Sequence, residues 1–108
     1  PQFPLSEARV MSIPLSGFSA EKPYVLARHP ESRFPICVYR LSETDYSASL
    51  LMCRHKPCEV AVQPSSYVCP CHGSRYSHRG ELEKGPAEMP LITYPVELNT
   101  LGVEVSLG

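Results

Sequence analysis

The chain reads Cys53-Arg54-His55-Lys56-Pro57-Cys58 near its middle and then Cys69-Pro70-Cys71-His72-Gly73-Ser74-Arg75-Tyr76. These two segments hold four of the five cysteines and two of the four histidines. Thiolate and imidazole groups bind transition metals, and one short loop cannot surround an ion, so two such loops indicate a metal site. Six candidate ligands exceed the four of a tetrahedral zinc site. Either two of them are not ligands, or the chain holds two metals.

Spacing suggests one way in which the six residues divide. Each segment offers a short Cys–His chelate, C-x-H in the first and C-x-x-H in the second, and one further cysteine. A disulfide between the further cysteines, Cys58 and Cys71, would cross-link the two loops, which is worth ~3 kcal/mol in the chain-entropy model. This division leaves a Cys2His2 set for a metal, consisting of Cys53, His55, Cys69 and His72.

Composition limits the architecture around these segments. A chain of 108 residues can build one hydrophobic core, and its 12 prolines exclude a helix bundle because an interior proline breaks a helix. Short apolar runs separated by turn residues predict an all-β fold. The predicted strands are 10–13, 24–28, 34–41, 49–52, 91–98 and 101–107, the last two forming a hairpin around Asn99-Thr100.

Residues 53 to 90 have no sustained periodicity and are rich in Cys, His, Pro, Gly and Ser. A loop segment of this length inside a small domain is usually functional. We therefore expect a single domain over 1–108, with a site-bearing subdomain at about 53–90 and a β scaffold formed by 1–52 and 91–108. Cys37 lies in a predicted strand, and we expect it to be a buried, inert thiol.

The two segments resemble the cluster-binding boxes of Rieske iron–sulfur proteins, and the match is close over residues 53–76. Gly85-Pro86-Ala87-Glu88-Met89-Pro90 resembles the proline loop of that family. The resemblance implies a Rieske-type antiparallel β-sandwich with an inserted cluster-binding loop subdomain. It also implies one 2Fe-2S cluster, with the inner iron held by Cys53 and Cys69 and the outer iron by His55 and His72.

Further roles follow from the same resemblance. Cys58 and Cys71 match the disulfide pair of the high-potential branch, which the ferredoxins of oxygenases usually lack. Ser74 and Tyr76 match hydroxyl groups that donate hydrogen bonds to a bridging sulfide and to a cysteine sulfur. Imidazole ligands lift the potential of such clusters to about −150 to +300 mV, and we expect the positive part of this range. Ferric iron makes its imidazole ligands better acids, so electron and proton uptake should be coupled.

Charge is uneven along the chain. The formal net charge is −1, which gives no global reason to expect binding to nucleic acid. Residues 53–79 carry four basic residues against Glu59, a local charge of +3. This indicates a docking face for an acidic redox partner, such as a cytochrome or a larger oxidoreductase subunit, formed by Arg54, Lys56, Arg75 and Arg79.

Lys56-Pro57 departs from the family pattern, because quinol-oxidising members usually carry a small or apolar pair there. Burying an ammonium group in a quinone pocket would cost desolvation energy, so quinol is disfavoured as a partner. We expect one-electron transfer by a soluble carrier or by the small subunit of a periplasmic oxidoreductase, and we do not assign an enzyme activity to the chain alone. The main alternative is the Rieske subunit of a quinol-oxidising cytochrome bc-type complex that lacks its membrane anchor.

A zinc-stabilised interaction module is a further alternative, but zinc explains neither the paired cysteines nor the Gly-Ser-x-Tyr sequence that follows. No apolar run approaches the roughly 18 residues that a membrane helix needs, so no membrane span is expected in this chain. A persistent disulfide favours the periplasm or another oxidising, extracytoplasmic side of a membrane.

Overall fold

The computed structural model describes residues 2–108, and almost all of their regular structure is β. A three-residue 3-10 turn, Leu15–Gly17, is the only helical element in that range, and nothing there is long or apolar enough to cross a bilayer as a helix. The strands are β1 (Val10–Pro14), β2 (Tyr24–Arg28), β3 (Pro35–Arg40), β4 (Tyr46–Leu50), β5 (Ala61–Val62), β6 (Tyr67–Val68), β7 (Arg75–Tyr76), β8 (Leu82–Lys84), β9 (Val96–Asn99) and β10 (Gly102–Ser106). The prediction of an all-β fold is confirmed.

The strands form three antiparallel sheets. The outer sheet has the order β1-β10-β9, and the central sheet has the order β2-β3-β4. The third, which we call the lobe sheet, has the order β5-β6-β7-β8 and lies entirely within the predicted site-bearing subdomain. Residues 53 to 90 are therefore not one long loop. The sequence did not reveal these strands, because they are very short and show no apolar periodicity.

Alternating side chains of the outer and central sheets form the first core. Met11, Ile13, Val103 and Val105 of the outer sheet pack against Val25, Ile36, Val38 and their neighbours in the central sheet. The intervening Ser12 is exposed and Glu104 is half-buried, as expected for strands with one wet face. This pair of facing sheets is the sandwich of the scaffold.

The central strand β3 is buried on both faces, which explains its continuous apolar sequence. Ile36 and Val38 point into the first core, whereas Cys37 and Tyr39 point the other way into a second core. There they meet Tyr67 and other buried residues of the subdomain, including Cys53, Val60, Cys69 and Tyr76, together with Leu51 and Leu91 of the scaffold. The second core therefore joins the candidate site to the scaffold.

Two strands differ from the predictions by more than one residue at an end. The fourth strand runs over Tyr46–Leu50 rather than 49–52, because pairing with β3 begins immediately after the polar turn. The segment 91–98 is a strand only from Val96, although Thr93 forms an isolated bridge with Ser49. Pro90 precedes that segment and Pro95 lies within it, and each lacks the N–H that a sheet ladder requires.

Candidate metal centre

The first candidate loop, residues 53–58, closes on itself above the second core. The backbone N–H of Cys53 donates to the carbonyl oxygen of Cys58 at 3.0 Å, and that of Cys58 donates to Lys56 at 2.6 Å. Cys53 is only 3% exposed, whereas His55 lies at the surface. The loop therefore directs its thiol inward and its imidazole toward water.

The second candidate loop, residues 69–74, connects β6 to β7 and has the same polarity. The N–H of Cys69 donates to the carbonyl of Ser74 at 2.8 Å, and the N–H of Gly73 donates to the carbonyl of Cys69 at 2.9 Å. Gly73 has φ +82°, a left-handed conformation that glycine adopts without strain. Cys69 is fully buried and His72 is exposed.

A disulfide between Cys58 and Cys71 joins the two loops, with the Cα atoms 6.5 Å apart, so this predicted pairing is confirmed. The sulfur of Cys69 lies within 4.8 Å of both disulfide sulfurs. On the outer side, the rings of His55 and His72 meet edge to face with their centroids 4.8 Å apart. The fold thus brings all six residues of the constellation into one place.

The donor set suits the two-iron cluster that the resemblance implies. Two thiols lie inside and two imidazoles lie at the surface, which gives the site an inner, sulfur-rich half and an outer, nitrogen-rich half. That asymmetry fits a cluster whose two irons have different ligands. A single tetrahedral zinc ion would not require it.

Tyr76 connects the inner half of the site to the backbone. Its hydroxyl lies 3.5 Å from the Cys53 sulfur and accepts a hydrogen bond from the N–H of Arg54 at 3.1 Å. Burial raises the pKa of the Cys53 thiol, but hydrogen bonds from Tyr76, from neighbouring backbone N–H groups and from Cys69 outweigh it and leave the pKa lowered to about 7. Burial and the adjacent thiol raise the pKa of Tyr76 to about 12, so this hydroxyl keeps its proton and can donate it to sulfur.

Ser74 fastens the proline loop, residues 85–90, over the second candidate loop. Its fully buried hydroxyl oxygen accepts a hydrogen bond from the N–H of Ala87 at 3.0 Å. Because a serine hydroxyl has one donor and two acceptor positions, its own proton remains available for a bond to a sulfide.

Arg54 holds the same proline loop from the other side. Its guanidinium donates to the carbonyl oxygen of Pro90 at 3.0 Å and contacts the sulfur of Met89 at 3.4 Å. This side chain therefore bridges the first candidate loop and the proline loop. The sequence contained no signal for this contact, because it joins residues that are distant along the chain.

The other three residues of the predicted docking face have different environments. Arg79 forms a salt bridge with Asp45, and Arg75 pairs with Glu83 at 3.5 Å. Both acidic partners lie outside the 53–79 segment whose charge the sequence count measured. Of the four, Lys56 alone has no hydrogen-bond or salt-bridge partner for its side chain within residues 2–108.

Two residues beneath the site were not identified as a pair from the sequence. The buried hydroxyl of Tyr67 donates to the sulfur of Cys37 at 3.2 Å, and burial raises the pKa of that thiol to about 12. Cys37 is fully buried, as predicted, and does not join the four other cysteines.

His78 stacks on Tyr39 with the ring centroids 3.8 Å apart, so it supports the second core rather than the candidate ligand set.

Comparison with known proteins identifies the family and the fold. The Rieske [2Fe-2S] domain matches residues 14–95 of the chain. The sequence is 29% identical over 86 residues to "Cytochrome b6-f complex iron-sulfur subunit 2" of Nostoc sp., covering 78% of this chain and 42% of that protein. It is 35% identical over 65 residues to "Cytochrome b-c1 complex subunit Rieske, mitochondrial" of Neurospora crassa, covering 54% of this chain and 28% of that protein.

The three-dimensional structure agrees with these matches. The crystal structure of the cyanobacterial plasma membrane Rieske protein PetC3 from Synechocystis PCC 6803 is similar, with a TM-score of 0.69 and 28% identity, over 80% of this chain and 88% of that one. The chain spans less than half the length of the two curated relatives described above. The match to the Rieske domain implies a 2Fe-2S cluster. Together with the fold and the disulfide, this match shows that the chain belongs to the Rieske [2Fe-2S] domain family.

Proposed function

We propose that this chain transfers single electrons by means of one 2Fe-2S cluster held by Cys53, Cys69, His55 and His72. The observation that carries the proposal is the placing of two buried thiols beneath two adjacent, exposed imidazoles on disulfide-linked loops. When bound, such a cluster supplies reversible one-electron oxidation and reduction at an imidazole-raised potential. The subdomain 53–90 carries these ligands, and the scaffold 1–52 and 91–108 supports it.

The residues of the chain divide the remaining tasks. Tyr76 and Ser74 offer hydroxyl donors to sulfur, and such donors favour the more negative, reduced state. The disulfide holds the two ligand loops together, while Arg54 and Ser74 keep the proline loop over them. Because His55 and His72 are exposed, the imidazole nitrogen not bound to iron can exchange its proton with water, which allows proton-coupled reduction.

We place this activity in a soluble carrier or in the small subunit of an oxidoreductase on the periplasmic or another extracytoplasmic side of a membrane. The Cys58–Cys71 disulfide supports an oxidising compartment. The expected partner is a redox protein, such as a cytochrome or a larger oxidoreductase subunit, that reaches the exposed edge at His55 and His72.

Quinol oxidation within a cytochrome bc-type complex is the second candidate, and the names of the relatives from Nostoc and Neurospora favour it. Exposed Lys56 argues against it, because this residue follows His55 directly and its side chain has no partner among residues 2–108. A quinol titration separates the two candidate functions by comparing the wild type with a variant in which Leu-Gly replaces Lys56-Pro57. We expect quinol to reduce the Leu-Gly variant faster than the wild type, and only when a bc-type partner is present.

Metal analysis and electron paramagnetic resonance test the ligand assignment. We expect two irons, no stoichiometric zinc, and a signal in the reduced wild-type chain that is lost in His72→Ala. The matched controls are His78→Ala and Cys37→Ala, which should keep the signal because those side chains lie beneath the site. Stoichiometric zinc, or loss of the signal in His78→Ala with retention in His72→Ala, would refute the assignment.

A further inference from the structure

A groove runs from the β2–β3 hairpin to the first ligand loop. It consists of two adjoining clefts of about 370 Å³ and about 290 Å³, which share Arg33, Phe34 and Glu59 in their walls. The larger cleft extends to Arg28 and the smaller one to Pro57. Pro57 stands two positions after His55, so the groove ends beside the exposed edge of the site.

Backbone hydrogen bonds of the scaffold and the subdomain fix the two walls of the groove relative to each other. The N–H of Leu51 donates to the carbonyl of Pro35 at 2.9 Å, and the N–H of Val60 donates back to Leu51 at 3.0 Å. Glu59 is anchored by an isolated bridge to Met52. The groove is therefore formed before any partner binds, which lowers the entropic cost of binding.

The charged side chains of the groove are mainly basic and are not neutralised internally. Arg28 and Arg33 are exposed, and neither forms a salt bridge within the part of the chain that the structure describes. The Arg33 guanidinium lies 4.8 Å from the centre of the Phe34 ring, a cation–π contact that leaves its N–H groups free to bind carboxylates. Glu59 is the acidic residue of the lining and, like Arg33, lines both clefts.

This contrasts with the docking face predicted from the sequence. Arg79 is neutralised by Asp45 and Arg75 by Glu83, and the Arg54 guanidinium is engaged with the proline loop. A guanidinium that already has an acidic partner contributes little to the field that attracts another acidic group. Besides Lys56, the unneutralised basic side chains that lead to the site are therefore Arg28 and Arg33 of the groove.

We propose that the groove binds an acidic, extended segment of the redox partner protein, whose carboxylates pair with Arg28 and Arg33. Glu59 lines both clefts, whereas Arg28 lines only the larger one, so Glu59 repels carboxylates where the clefts meet. The acidic part of the segment is therefore held near the hairpin while the partner's body lies over His55. This inference rests on the proposed function, since it assumes that electrons leave at the histidine edge. Arginine suits the task because its planar fork binds carboxylates in a bidentate manner.

Two double charge reversals of equal size test the groove. Arg28→Glu with Arg33→Glu is compared with Arg75→Glu with Arg79→Glu, using a hexaglutamate peptide at low ionic strength as the probe. Nuclear magnetic resonance titration of the oxidised full chain measures binding independently of electron transfer. In the wild type we expect chemical-shift changes at residues of the groove. We expect the affinity for the peptide to be about tenfold or more lower in the Arg28→Glu, Arg33→Glu variant and to change by less than about threefold in the Arg75→Glu, Arg79→Glu variant.

The binding results test the groove, and the paramagnetic signal of the cluster tests the proposed function separately. No measurable binding by the wild type, or equal weakening by the two variants, overturns the groove assignment. Arg28→Lys with Arg33→Lys should retain part of the affinity, because the charge remains and the fork is lost. If the reduced wild type lacks the paramagnetic signal, the proposed function fails; if the signal is intact and binding is absent, the groove alone fails.

Discussion

The hydroxyl of Tyr76 lies 3.5 Å from the sulfur of Cys53, and the same oxygen accepts the N–H of Arg54 at 3.1 Å. With its acceptor position occupied, the hydroxyl is oriented to donate to sulfur. Tyr76→Phe removes that donor and keeps the ring. Because a donor to a negatively charged acceptor stabilises the reduced state, we expect the reduction potential to fall by on the order of 50 mV, measured by redox titration. Tyr24→Phe is the control, because the Tyr24 hydroxyl forms no hydrogen bond to a ligand loop within residues 2–108. An unchanged potential in Tyr76→Phe would contradict the assignment.

The disulfide between Cys58 and Cys71 closes a loop with a sequence separation of 13. Replacing both cysteines by alanine relaxes the unfolded chain and frees the two ligand loops to separate. We expect the free energy of unfolding to fall by about 3 kcal/mol, with faster loss of iron to a chelator. Denaturant titration and chelator kinetics measure the two effects. Equal iron release by the variant and the wild type would show that the disulfide does not hold the ligand loops together.

Gly80 has φ +86°, and a Cβ placed on it would stand 2.8 Å from Thr93 Cγ2 and 3.0 Å from the hydroxyl of Ser49. Gly80→Ala therefore combines backbone strain with a clash at the bridge between Ser49 and Thr93. We expect a loss of about 3 kcal/mol in unfolding free energy.

Gly73 provides the matched comparison, because its φ is +82° but no atom lies within 4 Å of the added Cβ. Gly73→Ala should cost only about 1 kcal/mol, the strain of a left-handed alanine. Denaturant titration of the two variants measures the difference. Equal losses would mean that the close packing at Gly80 carries no energetic weight.

Burial raises the pKa of the Cys37 thiol from 9.0 to about 12, against the smaller opposing effect of the Tyr67 hydrogen bond. The folded state thus holds this proton more tightly than the unfolded state does. The contribution of this proton to the free energy of unfolding is complete below pH 9 and is lost as the pH rises from 9 toward 12. At pH 10 the wild type should lose about 1.4 kcal/mol of unfolding free energy through this group.

Cys37→Ala removes that contribution, while burial, the largest cause, still raises the pKa of Tyr67 and of Tyr39 in the variant. The variant is expected to be less stable than the wild type at pH 7, and the gap should narrow by about 1.4 kcal/mol at pH 10. Urea titration at both pH values provides the measurement. A gap that does not change with pH would show that the Cys37 proton is not held by burial.

Much of the fold follows from local rules. The prolines excluded helices, and alternation predicted the edges of the sandwich, including the strand Tyr24–Arg28 at its observed bounds. The third strand was predicted over 34–41 with Pro35 near its start, one residue longer at each end than the observed Pro35–Arg40, because a proline lacks the N–H that an interior ladder position needs. Strands of two or three residues, such as Ala61–Val62, carry no periodicity, so the lobe sheet could not be read from the sequence.

The candidate ligands were predictable because ligand chemistry depends on residue type and on short spacing. Residue types and spacing predicted a metal site on the two Cys–His loops, and the Rieske resemblance implied the Cys58–Cys71 pairing now seen in the fold. Which charges remain free became visible only in the three-dimensional arrangement. Salt bridges such as Arg79 with Asp45 join residues distant along the chain, and electrostatic neutralisation depends on separation in space, which a count along a segment cannot measure.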